Sequence, residues 1–183
     1  MEPDIIVDLV NFNIAETKKI IEGFSGTGLS HYLYCSSCWA HGMAETIPFD
    51  PDDLRKEPLD DYGKDKFASE MYLKEQYKKN GFPATIVMPG QISGPGWTII
   101  NPWGNTSMRV FQDIADGKEI ALPNFGQEIL HHVMAMTWLR YSIRRLHIEI
   151  SRLENASTQK RQRISRFMVT LSICMSFLDM SRK

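Results

Sequence analysis

The last fifty residues contain no glycine and no proline, although the 183-residue chain holds 12 of one and 9 of the other. They hold half of the ten methionines, and their 10 Lys+Arg face 3 Asp+Glu, whereas residues 1 to 133 carry 11 against 19. A formal net charge of -1 therefore averages two different compositions, one written for turns and one without stop signals. Cysteine is scarce: three residues, an odd number, which argues against a disulfide framework. No apolar stretch follows a basic start, so no secretory signal is read and the expected compartment is the reducing cytoplasm. Long apolar runs are lacking too. The longest, Phe167 to Leu178, is interrupted by Thr170, Ser172 and Ser176 and falls short of the roughly 20 residues a bilayer requires. The balanced charge points away from nucleic acid and from membrane surfaces, and the length suits one domain with a core of its own.

What is present is organised as alternating strands and helices. Asp4 to Val10 is a β-branched apolar run, as for a parallel strand buried on both faces. Ile14, Ile20, Ile21 and Phe24 fall on one helical stripe that Ser25-Gly26-Thr27-Gly28 ends. Further strands are read at His31 to Cys35, Ala84 to Met88 and Glu119 to Leu122, and helices from Tyr62 to about Asn80 and from Thr106 to Asp116. Pro89 to Gly96 is read as a loop. This order predicts an α/β layer with a parallel sheet. From Met134 the text turns helical, with Met134, Trp138, Ile143, Leu146, Ile150 and Leu153 on one broad face and Arg140, Arg144, Arg145 and Arg152 mostly off it.

The chemistry centres on Tyr62-Gly63-Lys64-Asp65-Lys66. A Tyr and a Lys four residues apart stand on one helix face, where the ammonium favours the phenolate and makes an acid–base pair. Taken alone, such a pair is more often a solvated helix surface. Context raises it: ligands of α/β sheets sit beyond the carboxyl ends of the strands, where Ser36-Ser37, Tyr62 and Pro89-Gly90-Gln91-Ile92 all fall. Cys35 and Cys38 spell C-x-x-C, but Cys35 ends a strand and no second pair exists, so neither a redox dithiol nor a metal site is expected. His131 and His132 are read as structural.

The string L-Y-C-S-S-C-W-A-H-G, then Y-G-K-D-K 25 residues after Ser37, then M-P-G-Q-I-S-G-P-G resembles the central part of an extended short-chain dehydrogenase/reductase of the NAD-dependent epimerase/dehydratase group. The resemblance covers roughly residues 4 to 133. It implies that Tyr62 is the acid/base, that Lys66 lowers its pKa and bonds the nicotinamide ribose, and that Ser37 holds the substrate oxygen. Pro89, Gly90, Gln91 and Ile92 would lie against the nicotinamide, with Gln91 where Asn is more usual, and Asn105 and Arg109 would reach a substrate. The implied cofactor is NAD or NADP, and the implied chemistry is epimerase, dehydratase or reductase action on a hydroxyl or carbonyl carbon, with a nucleotide sugar as one candidate. A small-molecule substrate is the expected partner, with no nucleic acid, no membrane, and a homodimer left open.

Such enzymes hold the pyrophosphate on G-x-x-G-x-x-G after a first strand, and the sequence shows no such loop. The fold class expected is thus a partial Rossmann-like parallel sheet lacking the first strands, entered at about the fourth, with impaired catalysis, followed by an atypical helical tail. Where the family continues with Gly-x-Asp-Val, this chain has Met134-Ala135-Met136-Thr137-Trp138. Their codons ATG-GCN-ATG-ACN-TGG, regrouped one nucleotide earlier, force Gly and Asp and permit His-Gly-Tyr-Asp-Val. The shift works again at Arg166 to Thr170 and Met175 to Lys183. Residues 1–133 are accordingly read as a partial nucleotide-binding domain and 134–183 as a basic, out-of-frame tail. The alternative is a non-catalytic fragment, or an interaction protein using that basic tail.

Overall fold

The computed structural model describes residues 3–43, 48, 50, 53 and 56–156. Beyond these lie the longest apolar run and the segments recoded after residue 156. The described residues form two compact units, one running to Pro89 and taken up again at Leu139, the other Gly90–Trp138.

In the first unit three parallel strands, β1 (Ile5–Asp8), β2 (His31–Cys35) and β3 (Ala84–Val87), stand in that order, with Ile6 opposite Tyr32 and Tyr32 opposite Ala84. The parallel α/β expectation is met. β2 is the central strand and all five of its residues are buried. β1, expected to be buried on both faces, is instead an edge strand among the described residues, and Val7 is 45% exposed.

Between β1 and β2 runs α1 (Ile14–Phe24), whose N-cap Asn13 accepts a bond from the Glu16 amide at 2.9 Å. Gly26, at φ 77, follows its end, so Gly26-Thr27-Gly28 is the helix stop that was read. α2 (Asp61–Asn80) is capped by Asp60, which takes the Gly63 amide at 2.7 Å, and it is closed by Gly81 at φ 70. Ile21, Leu29, Tyr32, Tyr34, Leu73, Phe82 and Ile86 form the core between the sheet and these helices.

The second unit contains two short parallel strands, β4 (Gln91–Ser93) and β5 (His132–Met134), and the helix α3 (Arg109–Ala115). Two expectations fail here. The Pro89 to Gly96 stretch is not all loop, because Gln91–Ser93 pairs with β5. Glu119 to Leu122 is not a strand: its residues are largely exposed and lead into a 3-10 turn at Pro123–Gly126. Gly90 makes the β4–β5 approach feasible, since a Cβ there would lie 2.5 Å from the His131 carbonyl oxygen.

α4 (Ala135–Ala156) follows β5 directly. Along it Trp138 and Ser142 are buried, one turn apart, while Ile143 is 54% exposed. Among the described residues no helix is long and apolar enough to cross a membrane.

Candidate active site

Three of the predicted site residues meet in the first unit. Ser37 follows the end of β2 and caps a short 3-10 turn, Cys38–Ala40, by accepting the Trp39 amide at 3.2 Å. The Cys38 amide bonds the Pro89 carbonyl at 2.9 Å, holding the turn against the end of β3. Tyr62 and Lys66 come from the first turns of α2. Gly63 allows that helix to lie so close, because a Cβ there would collide with the Trp39 carbonyl oxygen. The sequence offered this glycine in plain view between the two functional residues, without a reason for it.

Tyr62 and Lys66 are exposed to different degrees. The Tyr62 side is 39% exposed, whereas Lys66 is 1% exposed. The Lys66 ammonium donates to the carbonyls of Asn11 and Cys35, both at 2.7 Å, and its Nζ lies 4.8, 5.2 and 5.7 Å from the ring centroids of Tyr34, Phe12 and Tyr62. Two carbonyl dipoles and three aromatic faces offset the burial of the cation. Asn11 is itself held in place. Its amide reaches the Asp8 carboxylate at 3.0 Å, its side chain donates to Thr17 at 2.9 Å, and Thr17 donates to Ser69 at 2.9 Å. Asn11, Phe12 and Tyr34 were missed by sequence reasoning. The usable signal was position, since Asn11 and Phe12 lie just beyond the carboxyl end of β1.

The electrostatics depart from the expectation that Lys66 brings Tyr62 down. Burial raises the Tyr62 phenol above its ordinary value, and the main opposing influence is the Ser37 hydroxyl. Burial likewise lowers Lys66, with the neighbouring Cys35, Asp8 and Glu70 pulling it back up. Burial pushes the Cys35 thiol up to about 11 and raises Cys38 as well, the opposite of a reactive dithiol.

The remaining predicted residues divide at the boundary between the units. Pro89 closes the first, while Gly90, Gln91, Ile92, Asn105 and Arg109 belong to the second. The Gln91 amide bonds the His131 carbonyl at 2.7 Å as part of the β4–β5 pair. Asn105 is engaged in its own loop, where its side-chain oxygen accepts from Asn101 at 2.7 Å and from the Ser107 amide at 2.9 Å. Arg109 opens α3 with its side chain 83% exposed, 3.6 Å from Asp113.

A serine hydroxyl and a tyrosine phenol beside a buried lysine, beyond the ends of parallel strands, are groups able to move a proton at a substrate oxygen. The sequence model of the NAD dependent epimerase/dehydratase family matches residues 4–135. The chain belongs to that family. A curated relative, the protein y4nG of Sinorhizobium fredii, is 30% identical over 84 residues, which are 46% of this chain and 21% of that one.

Among solved structures, the UDP-N-acetylglucosamine 4-epimerase of Methanobrevibacter ruminantium, in complex with UDP-N-acetylmuramic acid, is similar at 16% identity and TM-score 0.55, over 72% of this chain and 47% of that one. The UDP-glucuronic acid 4-epimerase of Bacillus cereus, with UDP-glucuronic acid and NAD, gives 18% and 0.55 over 73% and 41%. The UDP-glucose 4-epimerase of Thermotoga maritima, with UDP-glucose, gives 17% and 0.52 over 77% and 51%. At these identities the likeness is one of fold. The chain spans about half, or less, of the length of each of these three.

Proposed function

We propose that this member of the epimerase/dehydratase family acts on a hydroxyl-bearing or carbonyl carbon of a nucleotide sugar, with Tyr62 as the acid/base, Ser37 as the group that holds the substrate oxygen, and Lys66 as the cation behind them. The observation carrying this reading is the caged Lys66, whose Nζ lies 5.7 Å from the Tyr62 ring centroid, with the Ser37 turn set against the same helix. Tyr62 is exposed enough to meet a substrate oxygen, and Ser37 is the donor that offsets the burial opposing its phenolate.

The residues present also fit a nicotinamide ribose. An ammonium has three N–H groups, and the carbonyls of Asn11 and Cys35 take two, leaving one for a ribose hydroxyl. NAD or NADP would accept and return hydride at that place. Pro89, Gly90, Gln91 and Ile92 keep the cofactor role, and Asn105 and Arg109 the substrate role, that the family resemblance suggests. The division into a nucleotide-binding part, 1–133, and an out-of-frame tail, 134–183, is kept as part of the proposal. Sequencing the locus tests it: a single intact frame with no family-like reading in the shifted one would end it.

The function is tested by mixing the chain with NAD and a UDP-hexose and following the epimer ratio by proton NMR. Tyr62→Phe is expected to lower turnover roughly a hundredfold to ten-thousandfold, with an unchanged melting temperature. Equal turnover in Tyr62→Phe and in the parent chain would refute the assignment.

A further inference from the structure

Behind the site lies a buried ion pair that the proposed chemistry does not use. Tyr62, Lys66 and Glu70 follow one another at intervals of four along α2, so one helix face carries all three. Glu70 is 0% exposed and both of its oxygens are engaged. Oε1 accepts a short bond from the Ser36 hydroxyl, and Oε2 accepts from Lys56 Nζ at 2.9 Å. Ser36 and Lys56 are themselves 2% and 7% exposed, and Lys56 Nζ lies 5.6 Å from the centroid of the Phe67 ring. Three stretches of chain meet on this carboxylate: the end of β2, the segment before α2, and α2 itself.

Burying such a pair costs desolvation that apolar side chains of similar volume would not incur, so stability alone is a poor reason for it. Its geometry offers a better one. Ser36 is the neighbour of Ser37. With the Ser36 amide bonded to the Val87 carbonyl at 2.8 Å, the Cys38 amide to the Pro89 carbonyl and the Ser36 hydroxyl to Glu70, the backbone on both sides of Ser37 is fixed. The same turn lies against α2, where a Cβ on Gly63, the neighbour of Tyr62, would collide with the Trp39 carbonyl oxygen. The helix that supplies Tyr62 thereby also supplies the anchor that sets Ser37 against it.

We propose that Glu70, acting through Ser36 and Lys56, is a positioning residue that fixes the Ser37 backbone so that its hydroxyl can donate to the Tyr62 phenolate. The proposal rests on the acid/base reading of Tyr62, and its test reads Tyr62 without needing turnover. The chain is labelled with ring-fluorinated tyrosine, the Tyr62 resonance is assigned by its loss in Tyr62→Phe, and its midpoint is titrated by fluorine NMR. Ser37→Ala sets the scale: loss of one neutral hydrogen bond to the phenolate should raise the midpoint by about half a pH unit to one unit.

Ser36→Ala and Glu70→Gln should raise it by a similar amount. Ser36→Ala changes no charge, and loss of the Glu70 charge alone would move the midpoint down, so a rise is not a trivial electrostatic effect. The double variant Lys56→Met with Glu70→Leu separates position from stability, since it removes both charges together and should keep the melting temperature while still raising the midpoint. Leu73→Ala, a core change on the same helix, should lower the melting temperature and leave the midpoint alone. A raised midpoint in Ser37→Ala with parental midpoints in Ser36→Ala and in the double variant would overturn the clamp alone. An unmoved midpoint in Ser37→Ala would overturn the clamp and the Ser37 role together. Shifts as expected in a chain that turns over no UDP-hexose would leave the clamp standing and sink only the substrate assignment.

Discussion

The two units of this chain support their functional residues in different ways. In the first, β2 has a partner on each side, and Lys66 and Ser37 both rest on buried groups that are themselves bonded. In the second, β4 and β5 have three residues each and pair with one another, and Asn124 and Phe125 occupy left-handed backbone with Phe125 97% exposed. Groups that move a proton need positions held to a fraction of an ångström, which a buried network supplies. Residues that read a substrate stand more often on exposed loops carried by such a scaffold. The proposed catalytic set falls in the first setting, and Asn105 and Arg109 fall in the second.

The strongest test of this contrast is Lys66→Met. It removes the cation from its three-ring cage and leaves the Asn11 and Cys35 carbonyls unpaired, each costing about 1–3 kcal/mol when buried. The expected result is a drop in urea midpoint together with a loss of turnover of about a hundredfold or more. A variant as stable as the parent chain would mean that the network around Lys66 is not closed to water.

Next in size is a pair of truncations. Leu73→Ala in the first core, at a residue 1% exposed, should cost about 2–5 kcal/mol in chemical unfolding. Ile114→Ala in α3, at a residue 48% exposed, should cost no more than about 0.5 kcal/mol. Equal losses would erase the difference in packing between the units.

The pH dependence should also come from the first unit. His31 in β2 is buried, and burial, with the Arg145 charge second, lowers it to about 4. The unfolded chain binds its proton near 6.5, so below that pH the unfolded state holds more protons than the folded one. Stability is therefore undiminished above pH 6.5, declines as pH falls, and has lost on the order of 3 kcal/mol by pH 4. Urea unfolding from pH 7.5 to 4.5 checks this, with His31→Phe as the comparison. The parent chain should lose more stability than the variant, and parallel curves would remove His31 as the source.

Much of the first unit was legible because its elements carry local signals. The α1 and α2 ends are marked by Asn13, Asp60, Gly26 and Gly81, and β2 and β3 are short apolar runs between them. Tyr62 and Lys66 could be read from spacing, since intervals of four mark a helix face, and Ser37 from its place just beyond a strand together with the family resemblance. The bonds of the supporting set could not. Asn11 lies beyond a strand end and Glu70 continues the interval of four, but what they and Lys56 bond lies 14 to 55 positions away, which no local pattern encodes. The second unit was harder for the same reason. β4 and β5 join Gln91 to His132 without alternation in either segment, whereas Glu119 to Leu122 had a strand-like look and no partner. The lowering of Tyr62 by Lys66 is not what its surroundings give, because burial raises the phenol and the group opposing that rise is Ser37.

The smallest structural effect should come with a selective functional one, at Arg109. Its side chain is 83% exposed and its contact with Asp113, at 3.6 Å and one turn along the same helix, is a surface pair of the kind that contributes little. Arg109→Ala should leave the melting temperature where it is. If the guanidinium reaches the anionic part of a nucleotide sugar, the same change should raise KM for a UDP-hexose about tenfold, the scale of one charge-assisted hydrogen bond, and leave kcat within about twofold. Arg109→Lys should recover only part of the loss, because an ammonium keeps the charge but not the fork of donors. An unchanged KM in Arg109→Ala would take Arg109 out of the substrate site and leave the first unit as the sole carrier of the chemistry.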